Sequence, residues 1–454
     1  MFKRLLVANR GEIAVRIVRT CRELGIESVV VYSTEDRDST AVRLADQAVH
    51  IGPAEAKRSY LHAPSILEAA LATGAEAVHP GYGFLSEDAD FADACAAVGL
   101  AFVGPSSEVM YRLADKSAAR LLMAEAGLPV LPGSPGPVST ATEVKEAVGL
   151  SGYPLMLKAA AGGGGRGITV VREPEDLDAS LRSTRAQAQA LYGNDDVYVE
   201  RLVEGARHVE VQVLADRHDA VVHLGERDCS VQRRHQKLVE ETPAPNLPPE
   251  LLEEIREAAV RGARAVGYEG AGTLEFLVDP KGRYYFMEIN CRLQVEHPVT
   301  EMVTGVDLVA EQIRVASGEP LSFRQEDVRP IGVAMECRVN AEHPERGFLP
   351  TAGTLDRFEV PGGAFVRVDT HAYPGWRISA SYDSLVAKVS TWGPDRETCV
   401  RRMRRALSEL VAEGPGLHTT ADYLGRLLGH EAFSRAEHTV AFVDMITESD
   451  HGRA

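Results

Sequence analysis

The chain has 454 residues, 44% hydrophobic and 25% charged, with a formal net charge of −17. That length calls for two to three domains, and the acidic balance argues against a nucleic-acid-binding surface. A local pocket can overrule the net field, and Lys116, Lys158, Arg233, Arg234, Lys237, Arg292 and Arg338 are cations able to build one around an anionic substrate. The six cysteines include no Cys-x-x-Cys pair. They read as free thiols in a reducing cytoplasm, with Cys21, Cys95 and Cys399 as helix core residues. No secretory leader and no apolar run of about 18 residues is seen, so neither secretion nor a membrane span is expected.

In chain order, residues 2–32 read strand, helix, strand. Leu5–Ala8 is apolar. Ile13, Ile17, Cys21 and Leu24 recur at helical spacing, Gly25 stops the helix, and Ser28–Tyr32 is the next strand. Ala75–His79 and Ala101–Val103 continue a parallel α/β domain, expected to span 1–115. A helix over Ser106–Ala126 leads into a second unit, 116–204, entered through Pro132, Gly133, Pro135, Gly136 and Pro137. Residues 205–454 form the largest domain, and Glu448–Ala454 is a polar, frayed end.

The second unit carries a glycine-rich loop. Tyr153–Lys158 reads as a strand ending in lysine, then come Ala159-Ala160-Ala161-Gly162-Gly163-Gly164-Gly165-Arg166-Gly167 and a strand at Ile168–Val171. Four successive glycines let backbone amides approach phosphate oxygens. This is not a Walker A loop, because no Gly-Lys-Ser/Thr closes it and a strand follows. A small unit with such a loop suits a lid.

The third domain holds the densest chemistry. Gly272–Val278 alternates and meets Asp279-Pro280-Lys281-Gly282, a type I turn signature. With Pro280 and Lys281 as the loop, Leu277 pairs with Tyr284 and Glu275 with Phe286, so Glu275 lies diagonal to Glu288. Beyond the turn, Phe286, Glu288, Asn290 and Arg292 are expected to share one face, with Cys291 pointing away. Glu275, Glu288 and Asn290 make an all-oxygen site that suits magnesium or manganese.

Taken together, these segments resemble the ATP-grasp fold, and the whole chain resembles the biotin carboxylase family. The likeness runs from Leu5-Leu6-Val7-Ala8-Asn9-Arg10-Gly11-Glu12 through His79–Glu87, Glu226–Lys237, Phe286–Glu301 and Glu336–Glu342 to about Asp383, and more weakly to near residue 445. It implies an α/β, three-domain ATP-grasp architecture. It also implies that Lys116, Lys158, Gly164, Gly165, His208, Gln232 and His235 contact ATP, and that Glu200, Arg201, Leu202 and Val203 read adenine. Glu275, Glu288 and Asn290 would hold one or two magnesium or manganese ions against the ATP phosphates. Lys237, Arg292, Gln294 and Val295 would hold bicarbonate, Glu296 would be the general base, and Tyr82 and Arg338 would meet biotin.

The implied reaction is ATP-dependent carboxylation of carrier-linked biotin, the first half-reaction of acetyl-CoA and related carboxylases. The implied partners are a biotin carboxyl carrier protein, a carboxyltransferase and a second copy of the chain. No Met-Lys-Met attachment signature occurs; the carrier would act in trans, or the chain is a domain of a larger carboxylase. Ala160-Ala161 and Cys291 depart from the family's usual residues without removing a functional side chain. Two other readings are an ATP-grasp carboxylate–amine ligase and a nucleotide-binding regulatory subunit. Arg338 and Gln294-Val295-Glu296-His297 speak against the first. The presence of Lys237, Glu296 and Arg338 speaks against the second.

Overall fold

The computed structural model describes residues 1–134, 136–160 and 167–451. Its first sheet is parallel, with β1 (Arg4–Val7), β2 (Glu27–Ser33), β3 (Gln47–Gly52), β4 (Ala77–His79) and β5 (Ala101–Phe102) in the order β3-β2-β1-β4-β5. The helix Gly11–Glu23 buries Ile13, Ile17 and Cys21 along one stripe. Strand order reverses about β1, and the crevice at the carboxyl ends of β1 and β4 is where such sheets present functional groups. Asn9 shapes that crevice, its Nδ2 donating to the carbonyls of Pro80 and Tyr82 at 2.7 and 2.8 Å.

The helix expected over Ser106–Ala126 is two helices, Ser107–Ala114 and Lys116–Glu125. Asp115 divides them. It takes an extended conformation, and its carboxylate accepts from the amides of Ser117 and Ala118 at 2.8 and 3.0 Å. A side chain that satisfies the second helix's free amides favours a restart over continuation. The restart puts Lys116 in the first turn, where it reaches back to the large sheet.

A small antiparallel sheet comes next, with β6 (Leu155–Ala159), β7 (Ile168–Val171) and β8 (Val197–Arg201) in the order β7-β6-β8. The entry segment clips onto β8, since Arg201 N–H donates to Pro132 O and Ser134 N–H to Val199 O, both at 2.9 Å. Gly133 is required there, because a Cβ would lie 2.1 Å from Val199 O.

The largest sheet has eight antiparallel strands. β9 (Arg207–Ala215), β10 (Val221–Arg233), β11 (Gln236–Thr242), β12 (Gly270–Val278), β13 (Tyr284–Asn290) and β14 (Val333–Asn340) join the strands Leu385–Gly393 and Val366–Thr370. The spatial order is β13-β12-β9-β10-β11-β14, then Leu385–Gly393, then Val366–Thr370. On one face Val209, Val211, Val213, Leu274 and Phe276 pack with Ile255 and Ala259 of the helix Pro249–Ala265. On the opposite face Leu214, Val222, Leu224 and Ala271 meet Leu308 and Ile313. Between these, β9 presents His208, Glu210 and Gln212, all buried.

The β12–β13 hairpin departs from the expected register. The turn forms, with Gly282 N–H donating to Asp279 O at 3.0 Å, but Asp279 N–H also donates to Arg283 O at 2.8 Å, so Val278 pairs with Tyr284 and Leu277 with Tyr285. A bulge then leaves Met287 unpaired: Phe276 faces Phe286, while Glu275 faces Glu288 directly. An extra residue moves every side chain beyond it to the other face. Phe286 therefore joins the apolar core with Ile289 and Cys291, and the expectation that Phe286 and Glu288 share a face is overturned. The strand ends at Asn290, so Arg292 belongs to the loop beyond it.

Candidate active site

Residues directly opposite one another in a ladder share a face. Glu288 faces Glu275, Glu275 faces Glu210, and Glu210 faces Arg227, giving one charged row across β13, β12, β9 and β10. Glu210 and Arg227 have no exposed surface, and Arg227 Nε meets Glu210 Oε1 at 2.5 Å. The Arg227 guanidinium also donates to Gln212 and Thr300, both at 2.9 Å, and to Thr273 at 3.2 Å.

Lys237 gathers this row to the next helix. Its Nζ lies 2.5 Å from Glu210, 3.0 Å from Glu275 and 2.7 Å from Glu296. Desolvation works against its charge, yet the three carboxylates hold Lys237 well above the ordinary lysine value. Glu296, fully buried at the start of the helix His297–Thr304, also meets Arg338 Nη2 at 2.9 Å. Burial alone would raise the Glu296 carboxyl; Lys237, Arg338 and Arg227 overrule it and hold it well below the usual carboxylate range. Arg338 has a second partner, Glu240, at 2.6 Å.

The nearby oxygen donors fit a hard divalent cation. Glu275 and Glu288 are adjacent, and Asn290 Nδ2 donates to Glu275 Oε1 at 2.8 Å. Lys116 Nζ lies 2.9 Å from Glu288 Oε2, and His208 Nε2 lies 2.9 Å from Glu275 Oε2. Ligands of carboxylate and amide oxygen on rigid strands, each with a second partner, suit magnesium or manganese. Arg292 sits at the rim, donating to Glu87 at 2.9 Å, to Gln294 Oε1 at 3.0 Å and to Asn290 Oδ1 at 3.4 Å. The Val295 carbonyl is fixed by the buried Lys388 ammonium at 2.7 Å.

On the small sheet, Lys158 donates to Glu200, which Arg120 also meets at 3.1 Å. Those cations, against the penalty of burial, hold the Glu200 carboxyl below its ordinary value. The amides of Arg201 and Leu202 donate to the carbonyls of Pro132 and Pro154. Gln232 pairs with Lys237 beside the hairpin tip Arg234–His235, where both tip residues have positive φ. Tyr82 is held by its hydroxyl, which donates to Glu12. Gly164 and Gly165 lie outside the described residues. Arg233 turns away from the cationic pocket, donating to Gly347 O at 2.8 Å and covering the Phe348 ring.

Sequence reasoning missed Glu210, Arg227, Glu240, Glu336, Lys388 and Glu87. Two signals were legible: polar residues at every second position in His208-Val209-Glu210-Val211-Gln212, and an arginine inside the apolar run of β10. Charges spaced by two on a strand that is otherwise buried mark a polar sheet face. All six cysteines are free and buried, with Cys21, Cys95 and Cys399 inside helices as expected.

A parallel-sheet unit, a small three-stranded sheet and a large sheet with an acidic row facing cations define an ATP-grasp enzyme. Family profiles match in series: "Biotin carboxylase, N-terminal domain" over residues 1–110, "Carbamoyl-phosphate synthase L chain, ATP binding domain" over 115–324, and "Biotin carboxylase C-terminal domain" over 336–445. Biotin carboxylase 1 of Bacillus subtilis is 52% identical over 448 residues, covering 98% of each chain. The Campylobacter jejuni biotin carboxylase, solved as a β,γ-ATP complex, superposes with a TM-score of 0.95 at 42% identity, covering 98% of this chain and 99% of that one. The biotin carboxylase domain dimer of Hydrogenobacter thermophilus 2-oxoglutarate carboxylase, solved with MgADP, ADP and bicarbonate, gives 0.94 at 44% identity and 98% coverage of each. This chain belongs to the biotin carboxylase family.

Proposed function

We propose that this chain carboxylates biotin on a carrier protein, using ATP and bicarbonate. The observation that carries this reading is Lys237 and Arg338 converging on the buried Glu296 beside the Glu275–Glu288–Asn290 oxygen row. Lys116, Lys158 and His208, with Gly164 and Gly165, would contact phosphates. Gln232 and His235 would lie along the nucleotide, and Glu200 to Val203 would read adenine. Glu275, Glu288 and Asn290 would hold magnesium, which when bound neutralises phosphate charge.

Lys237, Arg292, Gln294 and the Val295 amide would hold bicarbonate, arginine through two parallel hydrogen bonds. Glu296, kept ionised by its cations, accepts the bicarbonate proton. The bicarbonate oxygen attacks the terminal phosphorus, giving carboxyphosphate and ADP. Carboxyphosphate breaks to carbon dioxide and phosphate, and phosphate takes the proton from the biotin ureido nitrogen, which attacks carbon dioxide. Arg338 stabilises the negative charge on the ureido oxygen, and Tyr82 lines the biotin side. Closure of the small sheet over the site keeps water from carboxyphosphate.

The same reading places a lid at 116–204 between units 1–115 and 205–454, a division supported by the parallel, three-stranded and eight-stranded sheets, which share no strand. It makes the protein a cytoplasmic homodimer that works with a carrier protein and a carboxyltransferase. Among the described residues no helix is long and apolar enough to cross a membrane. The test is ADP release with magnesium and bicarbonate, with and without free biotin. Stimulation by biotin is the expected outcome; turnover that ignores bicarbonate would point to another ATP-grasp ligase.

A further inference from the structure

Behind Arg338 lies a carboxyl pair that the reaction scheme does not use. Glu240 of β11 faces Glu336 of β14 directly in the ladder, so their side chains project from the same face about 5 Å apart at Cβ. Neither has exposed surface. Glu240 bonds Arg338 through Oε1, and Glu336 accepts from Ser390 Oγ at 2.7 Å through Oε2. The remaining oxygens, Glu240 Oε2 and Glu336 Oε1, have no hydrogen-bond partner. Two buried carboxylates side by side repel, and two acceptor-only groups cannot satisfy one another unless one carries a proton.

Glu210, Glu275, Glu296, Glu240, Glu336 and Glu12 are buried, and they face the permanent cations Lys237, Arg227, Arg338 and Lys388. Arg292 also faces Glu275 and Glu296, so those carboxylates have cations of their own, while the Glu240–Glu336 pair has two orphaned oxygens. His208 is committed to Glu275, and His297, on the covering helix, is held neutral by burial and by Lys388. The thiols Cys229 and Cys337 are pushed well up by burial and by these carboxylates, so they remain protonated and add no charge.

We propose that Glu240 and Glu336 share one proton between their two free oxygens, and that the half-neutralised pair positions Arg338 and limits how far its positive charge is offset before it reaches the biotin ureido oxygen. This rests on the reading of Arg338 given above. Burial, with Glu296 nearby and against the pull of Arg338, lifts Glu240 to about 7, and burial with Glu240 lifts Glu336 to about 8. The proton is therefore held at neutral pH and lost as pH rises through that upper value. Its loss places a further negative charge behind Arg338 and weakens its pull on the ureido oxygen.

The experiment compares the pH profile of biotin-stimulated ADP release in the wild type and in Glu336→Gln. Wild-type stimulation should fall as pH rises through about 8. The glutamine offers Glu240 a permanent amide donor, so in the variant that fall should move up by about one pH unit or more. Bicarbonate-dependent ATP hydrolysis without biotin should show no such difference. Glu336→Ala, which supplies no donor, should lower the stimulated rate about tenfold, and only the glutamine should restore it. Superimposable wild-type and glutamine profiles overturn the proposal. Should the glutamine variant fail to fold, infrared titration of the wild type decides: a protonated-carboxyl band present at pH 7 and lost by pH 9 is expected, and its absence at pH 7 overturns the shared proton. Absence of ADP release at every pH would count against the proposed function, while the infrared titration still decides the proton.

Discussion

Lys237 is the residue on which most of the site's charge depends. One ammonium touches Glu210, Glu275 and Glu296, of which Glu210 also meets Arg227 and Glu296 also meets Arg338. Replacing it with methionine keeps the apolar stem and removes the charge. Turnover should fall by about 10²–10⁴, because in the proposed mechanism Lys237 both holds bicarbonate and keeps Glu296 ionised. Stability should also acquire a pH dependence of definite sign. Glu210 is already raised by burial with Lys237 in place, and without it the neighbouring carboxyls rise too. A carboxyl raised on folding binds protons that the unfolded chain, at about 4.3, has released, so stability falls as pH climbs above that value. Thermal unfolding of Lys237→Met should show its highest midpoint near pH 5 and a decline toward pH 8 relative to the wild type. A constant offset between the two curves would contradict this.

The element that assembles the oxygen row is the bulge at Met287. With the observed turn, a regular hairpin would set Glu275 opposite Met287 and turn Glu288 to the other face, whereas the extra residue brings the two glutamates opposite and sends Ile289 into the core beside Phe286. Deleting Met287 restores the ladder at the expense of one face. Either Glu288 and Asn290 leave the pocket, or Tyr284 and Phe286 leave the core. Magnesium-dependent affinity for ADP, read by calorimetry, should fall at least tenfold in either case, and the melting temperature tells which face was lost; unchanged affinity would count against the assignment. The bulge also shows where the sequence was readable. The carboxylates, the turn and the lysines were legible because chemistry and local propensity name them one at a time. The register was not, because an unpaired Met leaves no mark in a run that alternates on either side of it. Asp115 is a similar case: an apolar period crosses it, and only its capping bonds reveal the break between helices. Glu240 and Glu336 were beyond reach for another reason. They lie 96 positions apart, and only strand order places them side by side.

At the scale of the molecule, one helix couples the first domain to the site. Glu12 and Arg16 lie one turn apart on Gly11–Glu23 and so share a face. Glu12 receives the Tyr82 hydroxyl and lies 3.6 Å from Lys388, which fixes the Val295 carbonyl. Arg16 meets Glu301 at 2.9 Å, and Glu301 in turn meets Arg367 of the large sheet at 2.6 Å and accepts from Leu308 N–H. Glu301 thus sits between two arginines from opposite sides of the interface, and removing it leaves both facing each other. Arg16 keeps Asp307 and Arg367 keeps Asp369, which limits the loss, so Glu301→Ala should cost about 3 kcal/mol. The two tryptophans, Trp376 and Trp392, both lie beyond the first domain. Tryptophan fluorescence therefore reports the large domain, and far-ultraviolet circular dichroism reports the whole chain. In urea the wild type should lose both signals together. In Glu301→Ala the dichroism should begin to fall at lower urea than the fluorescence, as the parallel sheet releases first. Coincident transitions at the wild-type midpoint would mean that Glu301 does not hold the domains together and that the Glu12–Lys388 contact carries the coupling.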